Sequence, residues 1–310
     1  MKNVVITGAS GLVATELIYL LLKDEQYRIF AVSTHPDKLN CRYSGRDRVD
    51  VLTLGELTSN KDLIIDVFVH CAFARSKNPV DLANSMIYTK KTLEMAESHK
   101  VGLFVNISSQ SVYGQINTPL WTEQAQPAPD YLYALGKFAT ELMVETALET
   151  TDVKYTNIRL SSVCENARFL NVFVKNALNN QPISVQGGQQ NVSFIDVRDV
   201  ADALKKVIEL GVKVNLEKVY NLGTGKRRTI HDLAFDVKRI VEAEKGNLVE
   251  VIVQPSDITL DVGMNPTLFE KTFNWKAKYD YEDMIKSLIL LNTCKLGGVP
   301  VSFKIVYSIS

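Results

Sequence analysis

Val4-Val5-Ile6-Thr7-Gly8-Ala9-Ser10-Gly11-Leu12-Val13-Ala14 is a β-branched run, a turn of small residues and the opening of a longer apolar stretch. Consecutive β-branched residues predict a strand buried on both faces. Gly8 permits a tight turn, and Gly11 lets the backbone approach a pyrophosphate. Ala14 lets the following helix, Leu12–Lys23, lie close to the sheet. A helix that starts here offers free N–H groups and a partial positive charge to an anion. The stretch therefore predicts a dinucleotide-binding βα turn, with Ser10, Leu12 and Val13 beside the phosphates.

Outward from this turn the pattern repeats. Ile29–Ser33, Leu63–Cys71, Leu103–Ser108 and Tyr155–Leu160 read as strands, and Leu82–His99 and Tyr133–Thr146 as helices. Strands apolar throughout, alternating with helices, predict an α/β fold: a Rossmann-type, doubly wound parallel sheet. The helix from Leu82 carries a predicted apolar stripe at Leu82, Met86, Leu93 and Ala96. Beyond Leu160 the pattern loosens. Ser193–Val197 and Val219–Leu222 read as late strands. Asp199 is expected to cap a helix over Val200–Leu210, and Thr229 one over His231–Ala243. The expected organisation is a dinucleotide-binding domain over 1–165 plus about 191–222. A smaller, interleaved C-terminal substrate lobe is expected over about 166–190 and 223–310, joined by the bend Gly223-Thr224-Gly225. The tail Val299–Ser310 reads as an extra edge strand or a loose end.

Composition narrows the function. The 310 residues carry 35 Lys plus Arg against 35 Asp plus Glu, a formal charge of zero. That balance argues against nucleic-acid and polybasic membrane binding. The apolar run Leu17–Leu22 is too short to cross a bilayer, and the first residues show no cleavage-site pattern. Cys41, Cys71, Cys164 and Cys294 are scattered, unlike a zinc site or a disulfide framework, so a cytoplasmic protein without a metal is expected.

The end of the second strand discriminates between NAD and NADP. An acid there accepts the ribose hydroxyls and repels a 2′-phosphate. Phe30-Ala31-Val32-Ser33-Thr34-His35-Pro36-Asp37-Lys38 has no acid at the strand end. Ser33 and Thr34 can donate to a phosphate, and Lys38 or Arg42 can add charge, which leans the cofactor towards NADP. Asp50 and Val51, on a further short strand, are expected at the adenine edge.

Tyr-x-x-x-Lys places a phenol and an amine on one helical face. The ammonium is expected to lower the phenol's pKa, fitting it for proton transfer. The pattern occurs at Tyr19/Lys23 and Tyr133/Lys137. The first pair lies beyond the phosphate turn and reads as structural. The second follows Asn106-Ile107-Ser108-Ser109, where an open parallel sheet binds its ligand. Ser109 is expected to bond the reacting oxygen while Tyr133 moves its proton.

With these motifs in order the chain resembles the extended short-chain dehydrogenase/reductases of the NAD-dependent epimerase/dehydratase family. The resemblance covers residues 2 to 290 through TGASGLVA (7–14), VHCAFA (69–74), SSQSVYG (108–114), YALGK (133–137), IRL (158–160), FIDVRDVADAL (194–204) and YNLGTG (220–225). It implies Ser109, Tyr133 and Lys137 as catalytic residues. It also implies that Gly8, Gly11, Cys71, Ala72, Phe73 and Ser108 border the cofactor, and that Tyr133 and Lys137 touch it. A small-molecule substrate and a homodimer through Asp81–His99 and Tyr133–Thr146 are further implications. Two departures matter. Gln110 and Ser111 stand where sugar-nucleotide dehydratases carry Asp-Glu, which argues against elimination of water. The arginines usual before Phe194 and around Pro255–Asp261 are missing; Arg168, Arg198, Arg227 and Arg228 are the available substitutes. Phe169, Phe173 and Gln186 are candidates for the substrate wall. The expected activity is an NAD(P)-dependent oxidoreductase. The alternatives are a nucleotide-sugar epimerase that recycles bound NAD, and a non-catalytic NADP-sensing regulator.

Overall fold

The structure is a computed structural model describing residues 1–114 and 120–296. The tail Val299–Ser310 and the side chains of Lys38 and Cys294 lie outside the described residues. Seven parallel strands form the main sheet: β1 (Lys2–Thr7), β2 (Tyr27–Val32), β3 (Val49–Leu52), β4 (Val67–His70), β5 (Leu103–Ser109), β6 (Lys154–Leu160) and, late in the chain, β11 (Val219–Leu222). Their order is β11-β6-β5-β4-β1-β2-β3. The direction of winding reverses between β1 and β4, and the crevice for a ligand opens there at the carboxyl ends. In register, Thr7 stands beside both Val32 and His70.

Alternation along the strands builds two cores. Val4 and Ile6 face α1 (Leu12–Leu22), α2 (Pro36–Tyr43), α7 (Val197–Leu210) and α9 (Thr267–Phe273). Val5 faces α3 (Leu54–Ser59), α4 (Pro79–Ser98) and α5 (Leu132–Leu148). A third core joins α6 (Arg168–Leu178), α8 (Ile230–Lys245) and α10 (Tyr281–Leu296) to the parallel pair β8 (Ile183–Gln186) and β13 (Val251–Gln254). Four further short strands complete the lobe: β7 (Ser162–Val163) pairs in parallel with β10 (Phe194–Ile195), and β9 (Asn191–Val192) pairs antiparallel with β12 (Arg228–Thr229). The aromatic residues of α9 belong to the sheet: Phe269 and Phe273 pack edge-on against Tyr220 of β11.

Several local expectations are corrected. Asp196, not Asp199, caps α7, its carboxylate accepting the Arg198 N–H at 2.8 Å. Asp199 lies buried in the first turn and accepts the N–H groups of Lys278 and Tyr279 at 2.9 and 3.1 Å. It ties the chain after α9 to α7, a partner 79 residues away that local capping chemistry does not reveal. The expected strand over Ser193–Val197 shortens to Phe194–Ile195, because Val197 already begins the helix. The buried stripe of α4 is more polar than expected: Leu82, Ser85, Thr89, Thr92, Leu93, Met95 and Ala96, with Met86 half-buried. Thr229 caps α8 as the sequence suggests, accepting the Asp232 N–H at 2.9 Å.

Candidate active site at the carboxyl edge of the sheet

The glycine turn lies at the centre of this edge. Gly8 has φ +63, and a Cβ there would meet the backbone of Ala72 at 2.9 Å. Only glycine both adopts the conformation without strain and admits this approach. Gly11 precedes α1 with no side-chain cap, which leaves the first N–H groups of the helix to an external acceptor. Ser10 and Gly11 are exposed, Leu12 and Val13 half-buried, and Ala14 fully buried. A turn of this shape fits a pyrophosphate.

Past the ends of β2 and β3 a hollow of ≈ 510 Å³ is lined by Ser33, Thr34, Thr53, Leu54, Tyr88 and Lys91 among others. Its mixed apolar and hydroxyl lining suits a purine and its ribose. Ser33 and Thr34 fall where the sequence placed them. Asp50 and Val51 do not line it. Asp50 is mid-strand and pairs with Arg28 at 2.9 Å, and Val51 lines a separate hollow beneath α2. Thr53 and Leu54, just past the end of β3, take their place. Arg42 reaches from α2 to donate to Thr15 Oγ1 at 2.7 Å, which brings its guanidinium to the first turn of α1.

On the other side of the turn, His70 ends β4. Its ring lies between Thr7 Oγ1 (2.8 Å) and Thr89 Oγ1 (3.0 Å), and burial lowers its pKa to about 3, so it stays neutral. The segment Cys71-Ala72-Phe73 follows, pinned where the Ala72 N–H meets Thr7 Oγ1 (3.4 Å) and the Ala74 N–H meets Ser85 Oγ (3.0 Å). Burial pushes the Cys71 thiol up to about 12.

Ser109, Tyr133 and Lys137 converge beside this segment. Ser109 ends β5 and caps the short helix Gln110–Tyr113, accepting the Ser111 N–H at 3.2 Å. The Tyr133 phenol stands close enough for Ser109 to lower its pKa. The Lys137 ammonium donates to the Ile107 carbonyl at 2.7 Å and lies 4.5 Å from the centre of the Phe73 ring. Burial lowers Lys137 to about 8, with Cys71 and Glu141 acting in the opposite sense. The expected effect of Lys137 on Tyr133 is corrected. Burial dominates and pushes the phenol up to about 12, against Arg75 and Ser109. The amine is turned to Ile107 and Phe73 instead of the phenol.

Ser108 is corrected as well. Successive residues of a strand face opposite sides, and the Ser108 hydroxyl donates to Glu141 behind the site. Glu141 is bound by the buried Arg159 guanidinium (2.7 Å), which also donates to the Tyr113 hydroxyl (2.9 Å) and stacks on its ring. Tyr113 continues to Asn221 at 2.8 Å, and Asn221 to the Trp121 carbonyl at 3.0 Å. This network fixes the ends of β5, β6 and β11 relative to α5. Its signal in the sequence was an arginine within the apolar strand Thr156-Asn157-Ile158-Arg159-Leu160, and a glutamate one turn after Lys137 on the same helical face.

Towards the lobe, the Gln110 side chain donates to Ser162 Oγ (2.9 Å) and accepts from Ser161 Oγ (3.3 Å). Of the candidate arginines, Arg198 pairs with Asp196, Arg227 with Asp261 and Arg228 with Asp236, while Arg168 is exposed at the start of α6. Phe169 and Phe173 pack on each other, and Phe169 also on Phe194, within the lobe core; Gln186 bonds Gln254 at the surface. Those three are thus structural contacts of the lobe. Among the described residues no grouping of His, Cys, Asp and Glu could hold a metal, and no helix is long and apolar enough to cross a membrane.

Comparison with known proteins agrees with this arrangement. The chain is 22% identical over 311 residues to the low-salt glycan biosynthesis protein Agl12 of Haloferax volcanii, spanning 93% of this chain and 97% of that one. The dTDP-glucose 4,6-dehydratase of Bacillus anthracis, solved with NAD, has the same fold at a TM-score of 0.79 and 19% identity, over 96% of this chain and 99% of that one. The UDP-glucuronic acid 4-epimerase of Bacillus cereus, solved with UDP-glucuronic acid and NAD, also gives 0.79, at 18% identity over 94% and 99%. The model of the NAD dependent epimerase/dehydratase family matches residues 4–223. The match takes in the glycine turn, Ser109 and the Tyr133/Lys137 pair, and the chain belongs to the NAD-dependent epimerase/dehydratase family.

Proposed function

We propose that the protein is an NADP-linked oxidoreductase of the extended short-chain type, with Tyr133 as general acid/base at a carbonyl or alcohol carbon. The observation that carries this reading is the meeting of Ser109, Tyr133 and Lys137 beside the glycine turn. Gly8, Ser10, Gly11, Leu12 and Val13 would hold the pyrophosphate, Ser33 and Thr34 the adenosine end, and Cys71, Ala72 and Phe73 the nicotinamide half. The bound nicotinamide supplies or accepts the hydride. Tyr133, protonated at neutral pH, gives its proton to the reduced oxygen. Ser109 bonds the same oxygen and orients it. Lys137 places a positive charge beside this proton path.

The preference for NADP is supported by the acid-free end of β2 and by the Arg42 guanidinium at Thr15. Net redox chemistry is supported by the ion pairs that already occupy Arg198, Arg227 and Arg228, since a nucleotide diphosphate needs cationic partners. Elimination of water is disfavoured because Gln110 and Ser111 supply no acid. A second reading, epimerisation of a nucleotide sugar, is favoured by what the relatives' names state. We further propose that 1–165 with about 191–222 bind the dinucleotide and about 166–190 with 223–310 the substrate. A cytoplasmic location is supported by the free thiols of Cys41, Cys71 and Cys164.

Titration with NADPH and NADH, followed by a panel of carbonyl compounds and nucleotide sugars, tests the reading. Stoichiometric consumption of NADPH is expected. Interconversion of two sugar nucleotides without net change in nicotinamide would establish the epimerase instead. Dinucleotide binding without turnover of any compound would favour a regulator.

A further inference from the structure

We propose that Phe73 is a positioning residue for the proton relay: its ring holds the Lys137 ammonium at the Ile107 carbonyl and braces Tyr133 from the side. The proposal rests on the reading of Tyr133 and Lys137 given above. Three contacts carry it. The Phe73 ring meets the Tyr133 ring edge-on, 5.8 Å between centres and 75° between planes. The Lys137 amine stands 4.5 Å from the centre of the Phe73 ring. A Cβ on Gly136 would stand 2.9 Å from Phe73 Cζ, so the ring lies in a notch that only glycine leaves open. Positions 133, 136 and 137 share one face of α5, and a single ring covers all three.

The chemistry explains the need for the ring. A buried ammonium has three donors and loses its charge unless partners replace water. One donor goes to Ile107. The π face supplies a second, diffuse partner. The loop cannot drift away, since the residues on either side of Phe73 are tied to Thr7 and Ser85. The titratable groups acting on Lys137 and Tyr133 come from each neighbouring element. They are His70 and Cys71 at the end of β4, Arg75 in the loop, Glu141 on α5 and Tyr131 before it, with Ser109 from β5. From α4, Tyr88 stacks on His70 without facing the amine directly. None of these substitutes for the ring: His70 and the Cys71 thiol are neutral at pH 7, and Glu141, which favours the ammonium, is already bound to Arg159.

Competitive acetylation of Lys137 between about pH 6 and pH 10, read by mass spectrometry on the full chain without dinucleotide, gives the pH at which half the amine is neutral. A midpoint reports charge and is insensitive to how easily the reagent enters. Phe73→Leu is expected to lower it by about one unit, about tenfold more neutral amine at fixed pH, while Phe73→Tyr retains it. Gly136→Ala displaces the ring from the other side and is expected to lower the midpoint in the same sense, with no further effect in the Phe73→Leu background. It also serves if Phe73→Leu fails to fold. An unmoved midpoint in either folded variant, or additive shifts in the double variant, would overturn the proposal. A wild type that binds no dinucleotide, with the midpoint still shifted in Phe73→Leu, would sink the functional reading and leave the contact standing. Intact NADPH turnover with an unmoved midpoint would do the reverse.

Discussion

A phenol held near 12 by burial is a proton donor at neutral pH, not a phenolate. The Tyr133 hydroxyl therefore suits carbonyl reduction directly, and alcohol oxidation requires that the phenol lose its proton first. Tyr133→Phe removes the proton and keeps the ring contact with Phe73. We expect it to lower kcat/KM by about 10²- to 10⁴-fold with dinucleotide affinity nearly unchanged, as steady-state kinetics and fluorescence titration would show. Arg42 is the residue to test for cofactor choice. Its bond to Thr15 fixes the guanidinium near the first turn of α1 and leaves other N–H groups free for a phosphate. Arg42→Ala is expected to weaken NADPH binding by about tenfold, the weight of one charge-assisted contact, and NADH binding far less. Equal loss for both dinucleotides would remove Arg42 from the 2′-phosphate site.

At the scale of elements, the position of Ser109 against Tyr133 depends on what holds β5 against α5. Ser108 faces the opposite side and joins the buried Glu141–Arg159 pair. Adjacent serines thus face opposite sides: one lies towards Tyr133, the other anchors the strand. Removing the Glu141 carboxylate leaves the Arg159 guanidinium buried without its counter-charge. Glu141→Gln is expected to cost about 3–5 kcal/mol, measured by urea unfolding, with a weaker Tyr133 effect on turnover than the stability loss alone suggests. A variant as stable as the wild type would show that the buried guanidinium does not need the carboxylate as its counter-charge. At the next junction, Gln110 bridges β5 to Ser161 and Ser162, so the same short helix that follows Ser109 also sets the lobe edge.

Across the whole molecule, buried acids gather where the lobe meets the sheet. Glu16 on α1 is raised to about 7 by burial and by Asp196, and Glu165 is held well above the usual carboxylate range by the same causes. Their folded pKa values lie above the unfolded ones. The stability they contribute is therefore full below about pH 4.5 and is lost as pH rises through the folded values. His70 acts from the other end. Its folded pKa lies below its unfolded value, so stability falls as pH drops from about 6.5 towards 3. Maximum stability is expected on the mildly acidic side, with the melting temperature declining between about pH 4.5 and about pH 8. Glu165→Gln should flatten that decline in scanning fluorimetry; an unchanged slope would assign it elsewhere. Assembly belongs to the same scale. Val80 and Ile87 on α4, with Leu132, Leu135 and Leu142 on α5, are exposed on two helices that pack side by side. We expect these faces to join two copies. The pair Leu135→Glu and Leu142→Glu should convert a dimer to monomer in sedimentation velocity, and a wild type that sediments as monomer at micromolar concentration would refute it.

Much of this was legible in one dimension. Val4 to Ala14 specified strand, turn and helix, because a β-branched run favours a strand and the glycine at 8 permits the positive φ of the turn. Ser109 and Tyr133/Lys137 were legible because a strand end and a helical face are local periodicities. Asp50, Ser108 and Asp199 have partners that were not legible for one shared reason: which partner a polar side chain takes depends on elements distant in sequence, Arg28, Glu141 and Lys278 respectively. The lowered phenol pKa failed in the same way, since burial is a property of the assembled site. The sequence alone therefore determined the sheet and its glycine turn, through local sterics and hydrophobic period, and pointed to the groups proposed to react. Only the tertiary structure decided where Lys137 directs its charge and which acids burial holds protonated, because desolvation and long-range pairing exist only once the chain has packed.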